Sequence, residues 1–404
     1  MATLTLPSPD GGCYERTLRP ATAWAKPSTP LSARHAYAAA HVIPLTTADN
    51  TPGAPAALDW NATLAYRHEL WSYGLGVADA MDTAQRGMGL DWAATQELIR
   101  RSAQEAADVV GSGAPALAGK TVRDLLACGA GTDQLDPAAV PEGEAGLAVV
   151  LDAYREQLAV VSGSGAKVIL MASRALARVA RGPEDYLRVY STLLREATEP
   201  VILHWLGTMF DPALAGYWGS EDVSEATETF LGLIRSHPGK VDGVKVSLLD
   251  ASHEVSLRAA LPTGVRLYTG DDFNYPELID GDGAHHSDAL LGIFAAIYPA
   301  ASAALQAYDA GSPAEARALL DSTRELGRHI FSAPTFYYKT GIAFLSWLNG
   351  KQPGFQMVGG LHSGRSVLHL VRTLELADEA GLLLDPELAA ERMSGFLRVN
   401  GVVL

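Results

Sequence analysis

Short apolar runs alternate with longer amphipathic segments through the middle of the chain. Each run ends in small or polar residues, and the segments between them place apolar residues at i, i+3, i+4 and i+7, as in WAATQELIRRSAQEAADVV. This alternation predicts strands and helices in turn, and therefore parallel β-α-β units. The eight predicted strands span residues 39–45, 76–81, 122–129, 167–173, 200–206, 242–249, 264–270 and 283–291.

Eight such units over about 250 residues predict an α/β fold, a closed (β/α)8 TIM barrel, although an open doubly wound sheet has the same local signals. We assign the barrel to residues 38–310. Residues 1–37 are rich in Pro, Ser and Thr and show no clear period, so we expect an irregular N-terminal leader. Strand patterns stop after residue 310, and residues 311–404 predict a helical C-terminal region packed on the barrel.

Charge and composition argue against several classes of function. The 404 residues include 31 basic and 46 acidic side chains, and the net charge of −15 argues against nucleic acid or an anionic membrane as a partner. No apolar run reaches the roughly 18 residues of a membrane span, and the N-terminus lacks a secretory signal. The two cysteines, Cys13 and Cys128, predict neither a disulfide framework nor a cysteine-based zinc site. We therefore expect a cytoplasmic protein.

Lysine is scarce, with seven in the chain, and one of them lies inside an apolar strand. In DGVKVSLLD, alternation places Lys245 and Ser247 on one face and Val244 and Val246 on the other. If the valines pack against the helices, the lysine faces the barrel lumen. Burial there lowers the pKa of the amine, and a free amine attacks carbonyl groups to form a Schiff base. The alternative is a lysine paired with a lumen carboxylate, and the spacing alone leaves both open.

The order of motifs around this lysine resembles the dihydrodipicolinate synthase/N-acetylneuraminate lyase family. GVKVSLLD, VRLYTGDDFNY and a Gly-Ala strand start follow one another here, as GIKDSSGD, a GDD-type loop and a Gly-Ala strand do in that family. PVILHWLG is similar to its PVILYNVPG, and LLACGAGTD to its (A)GVG(T/S)N pattern. The resemblance covers residues 38–310 and implies a (β/α)8 barrel that acts as a class I aldolase or lyase. It also implies that Lys245 is the Schiff-base lysine and that the chain forms a homo-oligomer, a dimer or tetramer.

Two family motifs differ in this chain. The strand-two loop GTTGE, which binds the carboxylate of a 2-oxo acid in the family, is MDTAQRG here, so that Thr83 is the surviving hydroxyl. Gln85 and Arg86 are candidates for other anion or hydroxyl contacts. The proton-relay tyrosine that follows strand four in a PYY segment is absent from the corresponding ASRALAR, which contains Arg174. These differences weigh against pyruvate as the donor substrate more than against imine chemistry.

Other polar residues lie at predicted strand ends. His204 ends strand five and is a candidate acid/base in place of the missing tyrosine, because the pKa of histidine is near neutral; the alternative is a core histidine bonded to a backbone carbonyl. Asp79, on the lumen face of strand two, is a candidate partner for Lys245. Asp271 and Asp272 follow strand seven and face either the site or the cap of the next helix. The candidate substrate-binding residues are Asp79, Asp82, Thr83, Gln85, Arg174, Ser247, Asp271, Asp272 and His285.

We therefore predict a Schiff-base-forming lyase or aldolase, or a related hydratase-type enzyme, that needs no cofactor or metal. Its substrate is a small oxo acid or an oxidised sugar-derived carbonyl compound, with Lys245 as nucleophile and His204 in proton transfer. One alternative is a metal-dependent barrel lyase or isomerase that uses His204, His285 or His286 and the acids. Adjacent strand residues point to opposite faces, so His285 and His286 alone do not make a metal site. The other alternative is a non-catalytic barrel that binds a small molecule.

Overall fold

Eight parallel strands close into a barrel in the computed structural model, which describes residues 2–402. Each strand pairs with its neighbour in sequence, and the last pairs with the first. The predicted (β/α)8 barrel is confirmed. The strands are β1 (Ala36–Ala39), β2 (Gly76–Asp79), β3 (Leu126–Ala130), β4 (Lys167–Leu170), β5 (Val201–Leu206), β6 (Val241–Ser247), β7 (Arg266–Thr269) and β8 (Asp288–Leu291).

Helices follow the strands and then continue as a C-terminal region. Within residues 2–402 no helix is long and apolar enough to cross a membrane. The helices are α1 (Trp60–Ser72), α2 (Trp92–Gly111), α3 (Val122–Leu125), α4 (Gly143–Ser164), α5 (Arg174–Val179), α6 (Pro183–Glu196), α7 (Val223–Arg235), α8 (Ala251–Ala260), α9 (Tyr275–Asp280), α10 (Ile293–Asp309), α11 (Pro313–Asp321), α12 (Arg324–Ile330), α13 (Tyr338–Leu348), α14 (Val367–Glu379) and α15 (Pro386–Val399).

Alternation along the strands separates two apolar cores. Outward-facing side chains, among them Val244 and Val246 of β6, pack in the large core between the barrel and its helices. Inward-facing side chains form a second cluster in the lumen. Because successive residues of a strand point to opposite faces, Lys245 and Ser247 face the lumen. The lumen cluster consists of Tyr37, Ala39, Ala78, Met81, Ala127, Ile169, Met171, Ile202, Tyr268 and Leu290.

The first and last strands are shorter than their patterns predict. β1 lies at Ala36–Ala39, ahead of most of the predicted 39–45, and β8 begins only at Asp288. Residues 283–287 therefore precede the last strand and lie at the amino end of the barrel. The carboxylate of Asp288 accepts a hydrogen bond from the backbone N–H of His35, just before β1, at 2.7 Å, which ties these two strand starts together.

The N-terminal segment is more regular than we expected. Residues Thr3–Pro7 and Cys13–Thr17 form an antiparallel hairpin, so the prediction of an irregular leader is wrong for this part. Leu4 and Leu6 are buried while Thr3 and Thr5 are less covered, which is the period-two signal of a half-buried strand. On the second strand, the guanidinium of Arg16 lies 2.8 Å from the carboxylate of Asp378 in α14. The hairpin is thereby attached to the C-terminal region.

The C-terminal region covers the carboxyl ends of the barrel strands. Tyr338, the first residue of α13, bonds to Thr83 in the loop after β2. A second segment, Val358–Gly364, lies on the same loop, where Gln85 donates a hydrogen bond to the carbonyl of Val358 at 2.9 Å. The mouth of the barrel is therefore built from the strand-end loops and from residues that follow the barrel in sequence.

Candidate active site

Lys245 extends from β6 into the lumen. Its side chain is 7% exposed and makes no hydrogen bond or ion pair with any residue of the described chain, 2–402. Burial lowers the pKa of its amine, and the negative charges of Asp82 and Asp272 act in the opposite direction. A buried lysine with no contacting carboxylate is the arrangement that favours the free, nucleophilic amine.

Two carboxylates lie near this amine. Asp272 follows β7, and its Oδ1 accepts a hydrogen bond from the backbone N–H of Ile293 at 2.8 Å. Burial raises the pKa of Asp272 to about 7, partly offset by that hydrogen bond and by the charge of Lys245. Asp82 is half-buried in the loop after β2, and its carboxylate makes no hydrogen bond or ion pair within residues 2–402. The site therefore combines a carboxyl group that titrates near neutrality with a carboxylate that has no contacting partner.

The predicted place of Asp79 on the lumen face is wrong. Its carboxylate faces the helices, where it binds the guanidinium of Arg67 in α1 at 2.8 Å and the hydroxyl of Ser102 in α2 at 2.7 Å. All three side chains are fully buried. Asp79 therefore joins β2 to the helical layer, and Asp82 and Asp272 take the place near Lys245 that we expected for it.

His204 of β5 pairs with Lys245 of β6 in the barrel register, and Ser247 follows Lys245 on the same face of β6. Nε2 of His204 lies 3.3 Å from Oγ of Ser247, and Nδ1 is buried without a hydrogen-bond partner among residues 2–402. Burial holds the pKa of His204 well below its usual range, and the charge of Lys245 lowers it further. The imidazole is therefore neutral, and its contact is a hydroxyl rather than the backbone carbonyl that we considered for a core histidine.

A tyrosine that the sequence analysis did not find lies at the site. The hydroxyl of Tyr338 and Oγ1 of Thr83 share a hydrogen bond of 2.7 Å. The Tyr338 ring stacks on Phe331 with centroids 4.3 Å apart and meets Phe210 edge-on at 6.1 Å. Burial raises the pKa of this hydroxyl well above its usual value, and the charges of Asp82 and Asp272 add to the effect. The tyrosine is therefore a protonated O–H group held beside the lumen.

A second lysine, Lys339, was also missed. It is 2% exposed, and its Nζ lies 3.0 Å from the carbonyl of Phe336, 3.4 Å from Sδ of Met88 and 4.6 Å from the ring centroid of Tyr338. Burial lowers the pKa of Lys339 to about 8, while the charges of Asp82 and Asp211 oppose that shift. The scarcity of lysine and the apolar surroundings in FYYKTGIAFL were the signal that could have identified it.

A cavity opens over the carboxyl ends of the strands, lined in part by Asp82, Thr132, Met171, Arg174 and Asp211. Arg174 forms an ion pair with Asp211 and passes close over the loop after β2. Gly87 has a φ of +68°, which favours glycine, and a Cβ there would lie 2.7 Å from Nη1 of Arg174.

Arg86 contributes to the scaffold below this cavity. Its buried guanidinium pairs with Asp133 and donates to the carbonyl of Gly129 at 2.8 Å and to that of Ala80 at 3.1 Å. These bonds join the ends of β2 and β3 and occupy the donors that we considered for anion contacts.

Two of the predicted binding residues have structural roles. The amide of Gln85 donates to the carbonyl of Met88 as well as to that of Val358, so it fixes the loop after β2 against the C-terminal region. Oδ1 of Asp271 accepts from the backbone N–H groups of Phe273 and Asn274 at 2.9 and 3.0 Å. This is the capping arrangement that we gave as the alternative for Asp271, and neither side chain is left free to bind substrate.

The position predicted for His285 is wrong. It precedes β8 at the amino end of the barrel, is 70% exposed and lies beside Asp282. His286 precedes the same strand. His204 is near the carboxyl ends of the strands, so the histidines of the metal-dependent alternative lie at opposite ends of the barrel. Residues 2–402 contain no group of three or more His, Cys, Asp or Glu side chains placed to hold a metal ion.

Comparison with known proteins supports this fold. The profile of a family described as "Protein of unknown function (DUF993)" matches residues 4–402. No curated protein matches the sequence. Several solved structures of the dihydrodipicolinate synthase family are similar to the chain at low sequence identity, and they show its fold.

Three of these structures illustrate the likeness. A monomeric dihydrodipicolinate synthase variant has a TM-score of 0.61 at 13% identity, over 88% of this chain and 99% of its own. YagE, a prophage protein of the same family from E. coli K12 in complex with pyruvate, has a TM-score of 0.62 at 14% identity, over 86% and 99%. The enzyme from Acinetobacter baumannii, complexed with pyruvate, has a TM-score of 0.58 at 15% identity, over 87% and 100%.

Proposed function

The chain belongs to the DUF993 family, described as a protein of unknown function, and we propose that it is a lyase or aldolase that works through a Schiff base on Lys245. The observation that carries this proposal is the buried amine of Lys245, which has no hydrogen-bond or ion-pair partner in residues 2–402. Burial lowers the pKa of such an amine and so increases the fraction that is present as the reactive free base.

The first step joins the amine to the carbonyl carbon of the substrate. The nitrogen of Lys245 forms the new C–N bond, and the carbonyl oxygen leaves as water when the C=N bond forms. Formation of the protonated imine consumes one proton overall. We assign that proton to the hydroxyl of Tyr338, which is bonded to Thr83 beside the lumen. The proton returns to Tyr338 when water hydrolyses the imine at the end of the cycle.

The second step uses the protonated imine as an electron sink. A carbon–carbon bond next to the imine breaks, its electron pair forms an enamine, and a substrate hydroxyl loses its proton as the departing carbonyl forms. Asp272 suits the role of proton acceptor because its pKa, raised by burial to about 7, lies near neutrality. After the first product leaves, Asp272 returns this proton to the enamine carbon, which restores the protonated imine that water then hydrolyses. The sequence of steps needs no oxidant or reductant. His204, which is neutral and bonded to Ser247, keeps a positioning role in this scheme rather than the acid/base role we first gave it.

Two of the similar structures are complexes with pyruvate, and this supports an oxo acid as the substrate class. The homo-oligomer and the small-molecule partner stay predictions that rest on the family resemblance, and the cytoplasmic location stays a prediction that rests on the composition of the chain. Sedimentation of the purified chain tests the first of them.

Borohydride trapping tests the proposal. The protein is incubated with a panel of 2-oxo acids and neutral aldehydes or ketones, reduced, digested and analysed by mass spectrometry. We expect one stable adduct, on Lys245, and no adduct after Lys245→Ala or Lys245→Arg. Lys26 is a matched control because it is half-exposed, and Lys26→Ala should leave trapping unchanged.

The same experiment separates the alternatives. Adducts spread over exposed lysines, or none with any member of the panel, would contradict the proposal. A non-catalytic binding barrel would bind ligand in calorimetry without an adduct and would tolerate Lys245→Arg. A metal-dependent enzyme would lose activity in chelator while Lys245→Ala retained it.

A further inference from the structure

Lys339 has a buried cation without an anionic partner. Its ammonium group carries three donors, and within residues 2–402 it contacts one carbonyl, that of Phe336, and one thioether, that of Met88. A thioether sulfur is a weak acceptor. No carboxylate lies within 4.0 Å of this nitrogen in the described chain. A buried charge is costly unless it is paired, so the surroundings of the Lys339 ammonium group favour the binding of an anionic ligand.

Tyr338 connects this amine to the lumen. The Nζ of Lys339 lies over one face of the Tyr338 ring, 4.6 Å from its centroid, while the hydroxyl of the same ring bonds to Thr83. The charge of Asp82, the residue before Thr83, raises the pKa of both Lys245 and Lys339. Asp82 therefore acts on both amines, and Tyr338 links Lys339 to the loop after β2 that carries Asp82 and Thr83.

The other cations of the site are already compensated. Arg174 is paired with Asp211, and Arg86 with Asp133. Lys339 is the cation at this mouth that has charge to offer a ligand. Of these three cations, Arg174, Arg86 and Lys339, the lysine is the one that belongs to the C-terminal region, which covers the strand ends.

We propose that Lys339 binds the anionic oxygens of the substrate while Lys245 forms the imine. The substrate class is thus a small carbonyl compound that carries a carboxylate or a phosphate, and Lys339 sets the preference for it over neutral carbonyl compounds. The group it binds displaces Met88 Sδ from the amine and leaves the carbonyl of Phe336 in place. This inference rests on the proposed function of Lys245.

Paired charged and neutral compounds test it. Trapping on Lys245 is measured against concentration for pyruvate and its amide, and for dihydroxyacetone phosphate and dihydroxyacetone. We expect the charged member of at least one pair to reach half-maximal trapping at a concentration at least tenfold lower than the neutral member. The pair that shows the preference identifies the anion as carboxylate or phosphate.

Substitution of Lys339 should abolish this preference. In Lys339→Met, half-maximal trapping by the charged compound should move at least tenfold higher, while the neutral compound changes less than twofold. Lys339→Arg, which keeps the charge, should retain part of the preference. Lys351→Met is the control, because Lys351 pairs with Glu69 at the surface. Circular dichroism and thermal unfolding check that each variant is folded.

A binding experiment separates this inference from the Schiff base. Lys245→Ala cannot form an imine, yet it should bind the favoured anion in calorimetry, and Lys245→Ala with Lys339→Met should not. Equal trapping of charged and neutral compounds by the native protein, or equal losses of both in Lys339→Met, would overturn the anion site and leave the Schiff base standing. If no compound is trapped and Lys245→Ala binds no anion, both fail.

Discussion

The hydroxyl of Tyr338 lies 2.7 Å from Oγ1 of Thr83, although the two residues are 255 positions apart in the chain. Thr83 follows the second barrel strand and Tyr338 begins a helix of the C-terminal region. The contact places a pair of hydroxyl groups at the mouth of the barrel. The site therefore contains a tyrosine from the C-terminal region, although the segment ASRALAR after strand four lacks the tyrosine of the similar family.

Removing the Tyr338 hydroxyl should slow proton transfer. In Tyr338→Phe we expect the exchange of substrate α-protons in deuterium oxide, which reports enamine formation, to fall by about 10²- to 10⁴-fold. The extent of trapping on Lys245 after long incubation should persist. Exchange is followed by proton NMR with the compound that the trapping panel identifies.

Tyr337→Phe is the control for this change, since Tyr337 lies next to Tyr338 in sequence and its side chain makes no hydrogen bond within residues 2–402. Native exchange rates in Tyr338→Phe would show that another group transfers the proton. His204→Gln would then be the next variant to examine.

The pH dependence of trapping should report the environment of Lys245. Burial lowers the pKa of its amine from the usual 10.5, and the free amine is the reactive form, so the rate should rise with pH and reach half its maximum below pH 10.5. The charge of Asp272 acts to raise that pKa. Asp272→Asn should therefore move the rising limb to lower pH. A shift to higher pH in this variant would contradict the arrangement.

Glu254 should make the protein less stable as the pH rises. Its carboxyl is buried against the hydroxyls of Thr269 and Ser287, and burial raises its pKa from 4.5 to about 8. The native state keeps a proton that the unfolded state releases above pH 4.5. The free energy of unfolding should therefore fall between pH 4.5 and 8, by up to about 1.4 kcal/mol per pH unit from this group.

Urea unfolding at pH 5 and pH 8 measures this effect. Glu254→Gln should reduce the difference between the two pH values, because the amide does not titrate. Glu325→Gln, at a side chain 70% exposed, should leave the difference unchanged. A native pH dependence in Glu254→Gln would assign the effect to other groups.

Breaking the buried pair between Arg67 and Asp79 should destabilise the fold. Asp79→Asn leaves the guanidinium charge of Arg67 without its partner, and the expected loss is about 3–5 kcal/mol in the free energy of unfolding. The surface pair of Glu97 and Arg100 is the matched control, where Glu97→Gln should cost roughly 0–1 kcal/mol. At temperatures where Asp79→Asn is folded, its trapping on Lys245 should equal that of the native chain.

The barrel was predictable because period-two and helical patterns alternate over its whole length. The same pattern predicted that Lys245 faces the lumen, because the valines on either side of it pack against the helices. It failed for Asp79, which ends β2 on the outward face; the chain then turns at Ala80, where φ is +51°, so Asp82 rather than Asp79 reaches the mouth. His285 was misplaced because the apolar run that defines β8 begins only after it.

The C-terminal half of the site was not predictable from local patterns. Tyr338 and Lys339 lie in a segment that resembles an ordinary buried helix, and nothing in its spacing indicates that it meets the loop after β2. That contact depends on tertiary packing between distant parts of the chain. Rarity was the available signal: the argument that singled out Lys245 among seven lysines applies equally to Lys339.

The reach of the C-terminal region over the barrel mouth bears on how this chain can be divided or recombined. A fragment that ended at the last barrel helix would keep Lys245 yet lose Tyr338 and Lys339, so under the proposed function it would lack part of the site even if it folded. Exchanging only the strand-end loops with those of a similar barrel would break the bonds of Thr83 and Gln85 to the segments above them. The structural unit that holds the complete candidate site is thus longer than the barrel itself.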